Sequence, residues 1–224
     1  MSRSDRPAPV CFDLDGCLVD SRAAISSCIN HALVAAGLDA YDESALHRYI
    51  GPPLLETFQI LLADAGHDPV AAVDCIDAYR SRYVHVSLTH TTVVPGVADV
   101  LATLAATRPV LVVTAKPAEF ATPILGAVGL AHHVEQVHAP ALDAFEEPKA
   151  AALARALAPW GDRLDPATVW MVGDRRHDVD AGRAVGTRTL GVTWGIGDHA
   201  ELTTAGADVV VDHPDDLLAH LAPA

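Results

Sequence analysis

Short apolar runs punctuate the chain at Val10–Leu14, Val110–Val113, Val134–Val137, Val169–Val172, Thr189–Thr193 and Val209–Val211. They are rich in β-branched residues, bounded by proline, glycine or charge, and short enough to be strands. From the second run onward, helical patterns separate them. One covers Ala118–Val128 and closes at Gly129, a second covers Lys149–Leu157, and a third covers Asp178–Val185 and closes at Gly186, a usual helix C-terminus. Strand, helix, strand with short links predicts right-handed crossovers. The expected fold class is therefore α/β, a Rossmann-like doubly wound parallel sheet.

One gap breaks this rhythm. From Asp20 to about Thr92 no good strand pattern occurs. Arg22–Ala36 carries Ile25, Ile29 and Leu33 on one helical face and stops at Gly37. Asp42–Ile50 stops at Gly51-Pro52-Pro53, and Leu54–Ala65 stops at Gly66. Asp68 and Pro69 then open a helix over Val70–Val86, as N-cap and first helical residue. So much helix between a first and a second strand is not a simple crossover. It predicts an all-α cap domain at 21–89, inserted into a core made of 1–20 and 90–224, with Pro95-Gly96 marking the return.

Composition narrows the function. Half of the 224 residues are hydrophobic, so a sizeable core is available. A net charge of −14 argues against nucleic acid or an anionic membrane as the main partner. No stretch approaches the roughly 20 apolar residues of a membrane span, and the polar start has no signal-peptide core. Cys11, Cys17, Cys28 and Cys75 form no CxxC pair. A reduced, cytoplasmic protein, monomer or homodimer, is the simplest expectation. The twelve histidines include His132-His133 and His138, whose spacing suits no standard metal site. The other 13 of the 15 basic residues being arginine, the two lysines, Lys116 and Lys149, stand out.

Two of the apolar runs end in carboxylates, which a buried strand should do only where the charge is needed. The first end is Asp13-Leu14-Asp15-Gly16; the second is Gly173-Asp174, followed by Asp178. Brought together at the carboxyl edge of a sheet, they would make a Mg²⁺ site beside a nucleophilic carboxylate, which is phosphoryl chemistry. Two more polar features fall in the same places: Thr114-Ala115-Lys116 after a strand, and Lys149 at a helix start.

The order DxDG, Thr at a strand end, Lys, then GDxxxD resembles the haloacid dehalogenase superfamily. The helical insert after the first motif resembles its small-cap branch. Asp13 to Ser21, Thr114-Ala115-Lys116-Pro117 and Val192-Thr193-Trp194-Gly195 look most like phosphoglycolate-phosphatase-type hydrolases. The resemblance implies Asp13 as nucleophile and Asp15 as acid and base. It implies Gly16 and the backbone near Ala115 as phosphate-binding, with Thr114 donating its hydroxyl and Lys149 neutralising charge. It implies Mg²⁺ on Asp13, Asp174 and the carbonyl of Asp15, with Asp178 ordering the metal shell. The cap should choose the substrate, a small phosphate ester such as phosphoglycolate, with Arg48 binding an anion or hydroxyl and Lys116 a further candidate contact.

Blander readings stand beside these. Taken singly, Thr114 is a strand-end cap, Lys149 a first-turn lysine paired with Glu146 or Glu147, and Asp178 a helix N-cap. Arg48 is then a solvated helix end, and Arg175-Arg176 face solvent or the cap. Among rival activities, a sugar phosphomutase is the nearest, although Ser21–Ile25 lacks the His expected of one. A phosphonate-cleaving enzyme needs a lysine in the insert, which has none. A dehalogenase normally lacks the second Asp, and a binding module would show a broken motif.

Overall fold

A computed structural model describes residues 7–51, 53–142 and 147–221. The chain divides into two compact units, Met1–Asp20 with Val93–Ala224, and Ser21–Thr92. The first unit opens with β1 (Val10–Phe12) and β2 (Val19–Asp20). The second unit carries α1 (Arg22–Ala35), α2 (Glu43–Leu46), α3 (Leu54–Asp64) and α4 (Ala72–His90). The chain continues through β3 (Thr92–Val93), α5 (Val97–Ala105), β4 (Val110–Val113), α6 (Ala118–Ala127), β5 (Gln136–His138) and α7 (Lys149–Leu157). It ends with β6 (Trp170–Gly173), α8 (Arg176–Val185), β7 (Arg188–Val192), α9 (His199–Ala205), β8 (Val209–Val211) and α10 (Leu217–Leu221).

Six strands form one parallel sheet in the order β5-β4-β1-β6-β7-β8. Val10 and Phe12 of β1 pack on one face with Val112, Leu101 and Val172, while Cys11 packs on the other with Leu111, Leu153 and Met171. Both faces are covered, so the central strands β1, β4 and β6 are apolar and buried at every position instead of alternating. From β1 the sheet grows through β4 to β5 on one side, and from β6 through β7 to β8 on the other. The reversal falls between neighbours β1 and β6, which is where such sheets form their ligand crevice.

In the helical unit, α1 packs against α4 with Ile25, Ile29 and Leu33 buried, as their spacing predicts. Phe58, Tyr79 and Tyr83 continue that core, the two tyrosine rings stacked at 5.1 Å. The Asn30 amide clamps the backbone of Tyr41, accepting from its N–H and donating to its carbonyl, both at 2.8 Å.

Several elements differ in extent from the sequence reading. β1 stops at Phe12, although the Asp13 N–H still donates to the Val172 carbonyl at 2.8 Å. The third strand is Gln136–His138 and not 134–137, because residues 131–133 close a 3₁₀ turn before it. The helix expected over 42–50 breaks after Leu46 into a 3₁₀ turn, His47–Tyr49. Asp68 caps a 3₁₀ turn, Pro69–Ala71, that leads into α4. Two-residue strands β2 and β3 pair with each other at the borders of the segment read as strand-free. Among the described residues, no helix is long and apolar enough to cross a membrane.

Leu153 is fully buried against β4 and β6 and seats the helix that begins at Lys149. Shortening it to alanine should destabilise the core unit by about 2–5 kcal/mol, read from denaturant unfolding.

Candidate active site

The carboxyl ends of β1, β4 and β6 lie side by side, and the residues after each carry the polar groups. After β1 the chain turns at Gly16, whose N–H donates to the Val19 carbonyl at 2.8 Å. Gly16 has φ +79, a left-handed conformation that favours glycine. A Cβ there would also collide with the Asp174 carboxylate. The turn therefore needs glycine twice over, for its backbone and for the acid it touches.

After β6, Asp174 is fully buried. Its Oδ2 accepts from the Ile196 N–H at 2.7 Å, and Gly195 lies so close that any side chain would strike the carboxylate. The Trp194 indole N–H donates to the Cys17 carbonyl at 3.0 Å, so one short segment ties together the turns that bear Asp13 and Asp174. Asp178, also buried, is not the residue preceding α8 but sits in its first turn. Its Oδ2 reaches back to accept from the Arg175 N–H at 3.0 Å, which is why the helix starts at Arg176.

Lys149 links the two acidic ends. Its Nζ is 2.6 Å from Asp178 Oδ1 and 3.0 Å from Asp13 Oδ1. Glu147 pairs with Arg155 and not with Lys149; Glu146 lies outside the described residues. After β4, Thr114 is buried and its hydroxyl oxygen accepts from the Lys116 N–H at 3.2 Å. Lys116 Nζ lies 3.0 Å from Asp15 Oδ2. Ala115, between them, is exposed.

The structure thus brings Asp13, Asp174, Asp178 and Lys149 into one cluster and joins Asp15 to Lys116 beside Thr114. Arg48 lies in the other unit, exposed, with its guanidinium donating to the Tyr49 hydroxyl at 2.8 Å and lying 4.8 Å above that ring. Arg175 does not simply face solvent: its Nε pairs with Glu201 at 2.9 Å, and the same carboxylate accepts from the Arg176 N–H. Glu201 and Ile196 are supporting groups that the sequence reading missed, and Trp194, singled out there only within a family-like segment, proves to be a third. The signal for Ile196 was the Gly195-Ile196-Gly197 segment after a strand.

Oxygens of Asp13, Asp174 and Asp178 all lie within 4.8 Å of one another. Burial is the main reason Asp13 is raised to about 6, with Lys149 pulling the other way and Asp178 and Asp15 adding to the rise. Asp174 is raised to about 7, again by burial first and by its two acidic neighbours next. Burial would lower the Lys149 ammonium, but Asp13 and Asp178 outweigh it and hold the proton above the ordinary lysine range. Three buried carboxylates against one ammonium leave two negative charges, the complement of a divalent cation. Asp174 Oδ1 is buried and accepts no hydrogen bond. An unsatisfied anionic oxygen among hard oxygen donors fits Mg²⁺.

Known proteins resemble this chain over most of its length. A family model described as haloacid dehalogenase-like hydrolase matches residues 10–192. A 5'-nucleotidase of Pseudomonas aeruginosa is 31% identical over 194 residues, 86% of this chain and 86% of that protein. A phosphoglycolate phosphatase of Pectobacterium atrosepticum is 31% identical over 210 residues, 92% of this chain and 89% of that protein. Among solved structures, Mycobacterium tuberculosis protein tyrosine kinase A matches with a TM-score of 0.80 and 31% identity, over 98% of this chain and 100% of that one.

The electrostatics predict a pH effect on the metal-free protein. A carboxyl raised in the folded state binds its proton more tightly folded than unfolded, so its ionisation weakens the fold as pH rises through the folded value. For Asp174 this penalty is present at pH 8 and disappears as pH falls from about 7 towards 4. Asp174→Asn should therefore be more stable than wild type in EDTA at pH 8, by about 1–3 kcal/mol. The gap should narrow below about pH 7 and close by about pH 4, as read from thermal melts of both proteins across that range.

Proposed function

Since the chain belongs to the haloacid dehalogenase-like hydrolases and hydrolyses phosphate esters, we propose that it is a Mg²⁺-dependent phosphomonoesterase working through an aspartyl-phosphate on Asp13. The observation that carries this reading is the meeting of three buried carboxylates within 4.8 Å, with Lys149 bridging two of them.

Asp13, the first residue past the central strand, supplies the attacking oxygen. Its Oδ bonds to phosphorus as the ester P–O bond breaks, and Asp15 gives a proton to the departing oxygen. Asp15 then takes a proton from water, whose oxygen attacks the phosphorus. The Asp13–phosphate bond breaks, releasing inorganic phosphate and restoring the carboxylate. Thr114 has its hydroxyl oxygen engaged by the Lys116 N–H, which leaves its own O–H available to a phosphoryl oxygen. The backbone around Ala115 offers a further N–H group, whereas the Gly16 N–H, expected to bind phosphate, is taken by the Val19 carbonyl, and Gly16 serves the turn instead. Lys149 holds Asp13 in place and offsets charge on the transferring group.

Asp13, Asp174 and the Asp15 carbonyl would hold the metal. When bound, Mg²⁺ reduces the repulsion between the Asp13 carboxylate and the phosphate. Asp178 already has one oxygen on Lys149 and the other on the Arg175 N–H, which suits ordering the shell better than direct ligation.

We assign substrate choice to the helical unit, with Arg48 taking an anion or hydroxyl of the substrate. A phosphoglycolate-like ester is the leading candidate, supported by the Pectobacterium relative's name. The Pseudomonas relative adds nucleoside monophosphates to the set worth testing.

The experiment is hydrolysis of p-nitrophenyl phosphate with Mg²⁺ and with EDTA, followed by a panel of phosphorylated metabolites. Activity should need Mg²⁺. Asp13→Asn should fold normally and lose at least about 10³-fold in kcat, in line with the loss of a nucleophile that acts as a unit with its neighbours; a residual above a tenth of wild type would sink the assignment. Arg48→Ala should raise KM for the best panel substrate and leave p-nitrophenyl phosphate nearly unchanged. Sugar-phosphate isomerisation without phosphate release would point to a phosphomutase instead.

A further inference from the structure

The chain uses arginine for nearly every cation and lysine at only two positions. In the structure each lysine pairs with one of the two carboxylates of Asp13-Leu14-Asp15: Lys149 with Asp13, and Lys116 with Asp15. Lys149 has an evident role beside the nucleophile. Lys116 remains to be explained. Its side chain is only 7% exposed and Asp15's only 20%, so the pair is largely withdrawn from water. A buried ammonium is sustained only by a partner of opposite charge, and the pairing is correspondingly fixed.

The placement follows from the sheet. β4 lies directly beside β1, with Val112 opposite Phe12, so the turns after these strands meet. Lys116 then reaches both sides of the crevice at once. Its Nζ is 3.0 Å from Asp15 Oδ2, and its backbone N–H donates to Thr114 Oγ1 at 3.2 Å. An ammonium on a flexible stem makes such a single-point contact, where a guanidinium would bring a wide planar fork.

We propose that Lys116 is a positioning residue. It holds the Asp15 carboxylate where the leaving oxygen departs and the water later enters, and through its backbone it fixes the rotamer of Thr114. This rests on Asp15 being the acid–base group. Loss of the ammonium removes this hold on the Asp15 carboxylate, and a misplacement of about 1 Å can cost about 10²-fold in rate.

The test is a double-mutant cycle of Lys116→Met and Asp15→Asn, with kcat/KM measured on ethyl phosphate and on p-nitrophenyl phosphate. Neither ester carries a charged group besides its phosphate. Ethoxide must be protonated as it leaves, whereas p-nitrophenolate leaves without help. Lys116→Met is expected to lose about 10²-fold on ethyl phosphate and less than about tenfold on p-nitrophenyl phosphate, and to add almost nothing in the Asp15→Asn background. Equal losses on both esters, or a full loss persisting in the Asp15→Asn background, would overturn the proposal and place Lys116 on the substrate or in the framework. If Asp15→Asn itself spares ethyl phosphate, the acid–base assignment fails instead, and the two failures are thereby distinguished. Lys116→Gln serves the same cycle should Lys116→Met not fold.

Discussion

Burial of three carboxylates around a single ammonium is the constraint from which most of the local architecture follows. Such a cluster repels itself unless each oxygen is held and each approach is shaped. Asp178 is held from two sides, by Lys149 and by the Arg175 backbone. Asp174 is held by the Ile196 N–H and enclosed by Gly16 and Gly195, positions where a side chain would displace it. Glu201 secures the loop between the two acids through the side chain of Arg175 and the backbone of Arg176. The glycines, the bent loop and the salt bridge on α9 are therefore parts of one device.

The parallel sheet makes this device possible. Residues 13, 114 and 174 are far apart in the chain, yet they follow strands that are hydrogen-bonded neighbours. Because parallel strands point the same way, the residues after their last rungs share an edge. That edge lies where the order of the sheet reverses, so the crossovers leave in opposite directions and open a crevice. The apolar runs supply rigidity beneath it. Val10, Cys11 and Phe12 are fully buried on both faces, so Asp13 begins where a fixed strand ends.

Much of this was legible in the sequence, for a physical reason in each case. Strands covered on both faces read as unbroken apolar runs, and carboxylates directly after such runs have no structural use. The motif order then carried the chemistry. What escaped was decided by geometry with no periodic signature. The 3₁₀ turns at His47–Tyr49 and Pro69–Ala71 obey the same composition rules as the α-helices that they interrupt. Strand Gln136–His138 contains polar residues at the sheet edge and takes its register from β4, so the apolar residues before it misled. Sequence proximity offered Glu147 as a partner for Lys149; the fold gave Glu147 to Arg155 and Lys149 to more distant acids. The segment around Ile196 acquires meaning only once the carboxylate it encloses is in place.

The same charge arrangement sets function against stability. Without a metal, the site carries two uncompensated negative charges in a region closed to water, and burial raises Asp13 and Asp174 accordingly. A cation that binds only the folded state would stabilise it by RT ln(1 + [L]/Kd) and so would relieve the strain that burial places on these carboxylates. Replacing one of these acids by a neutral residue would relieve it permanently and remove the attraction for the cation. The chain retains all three, at a cost in stability that a divalent ion would offset.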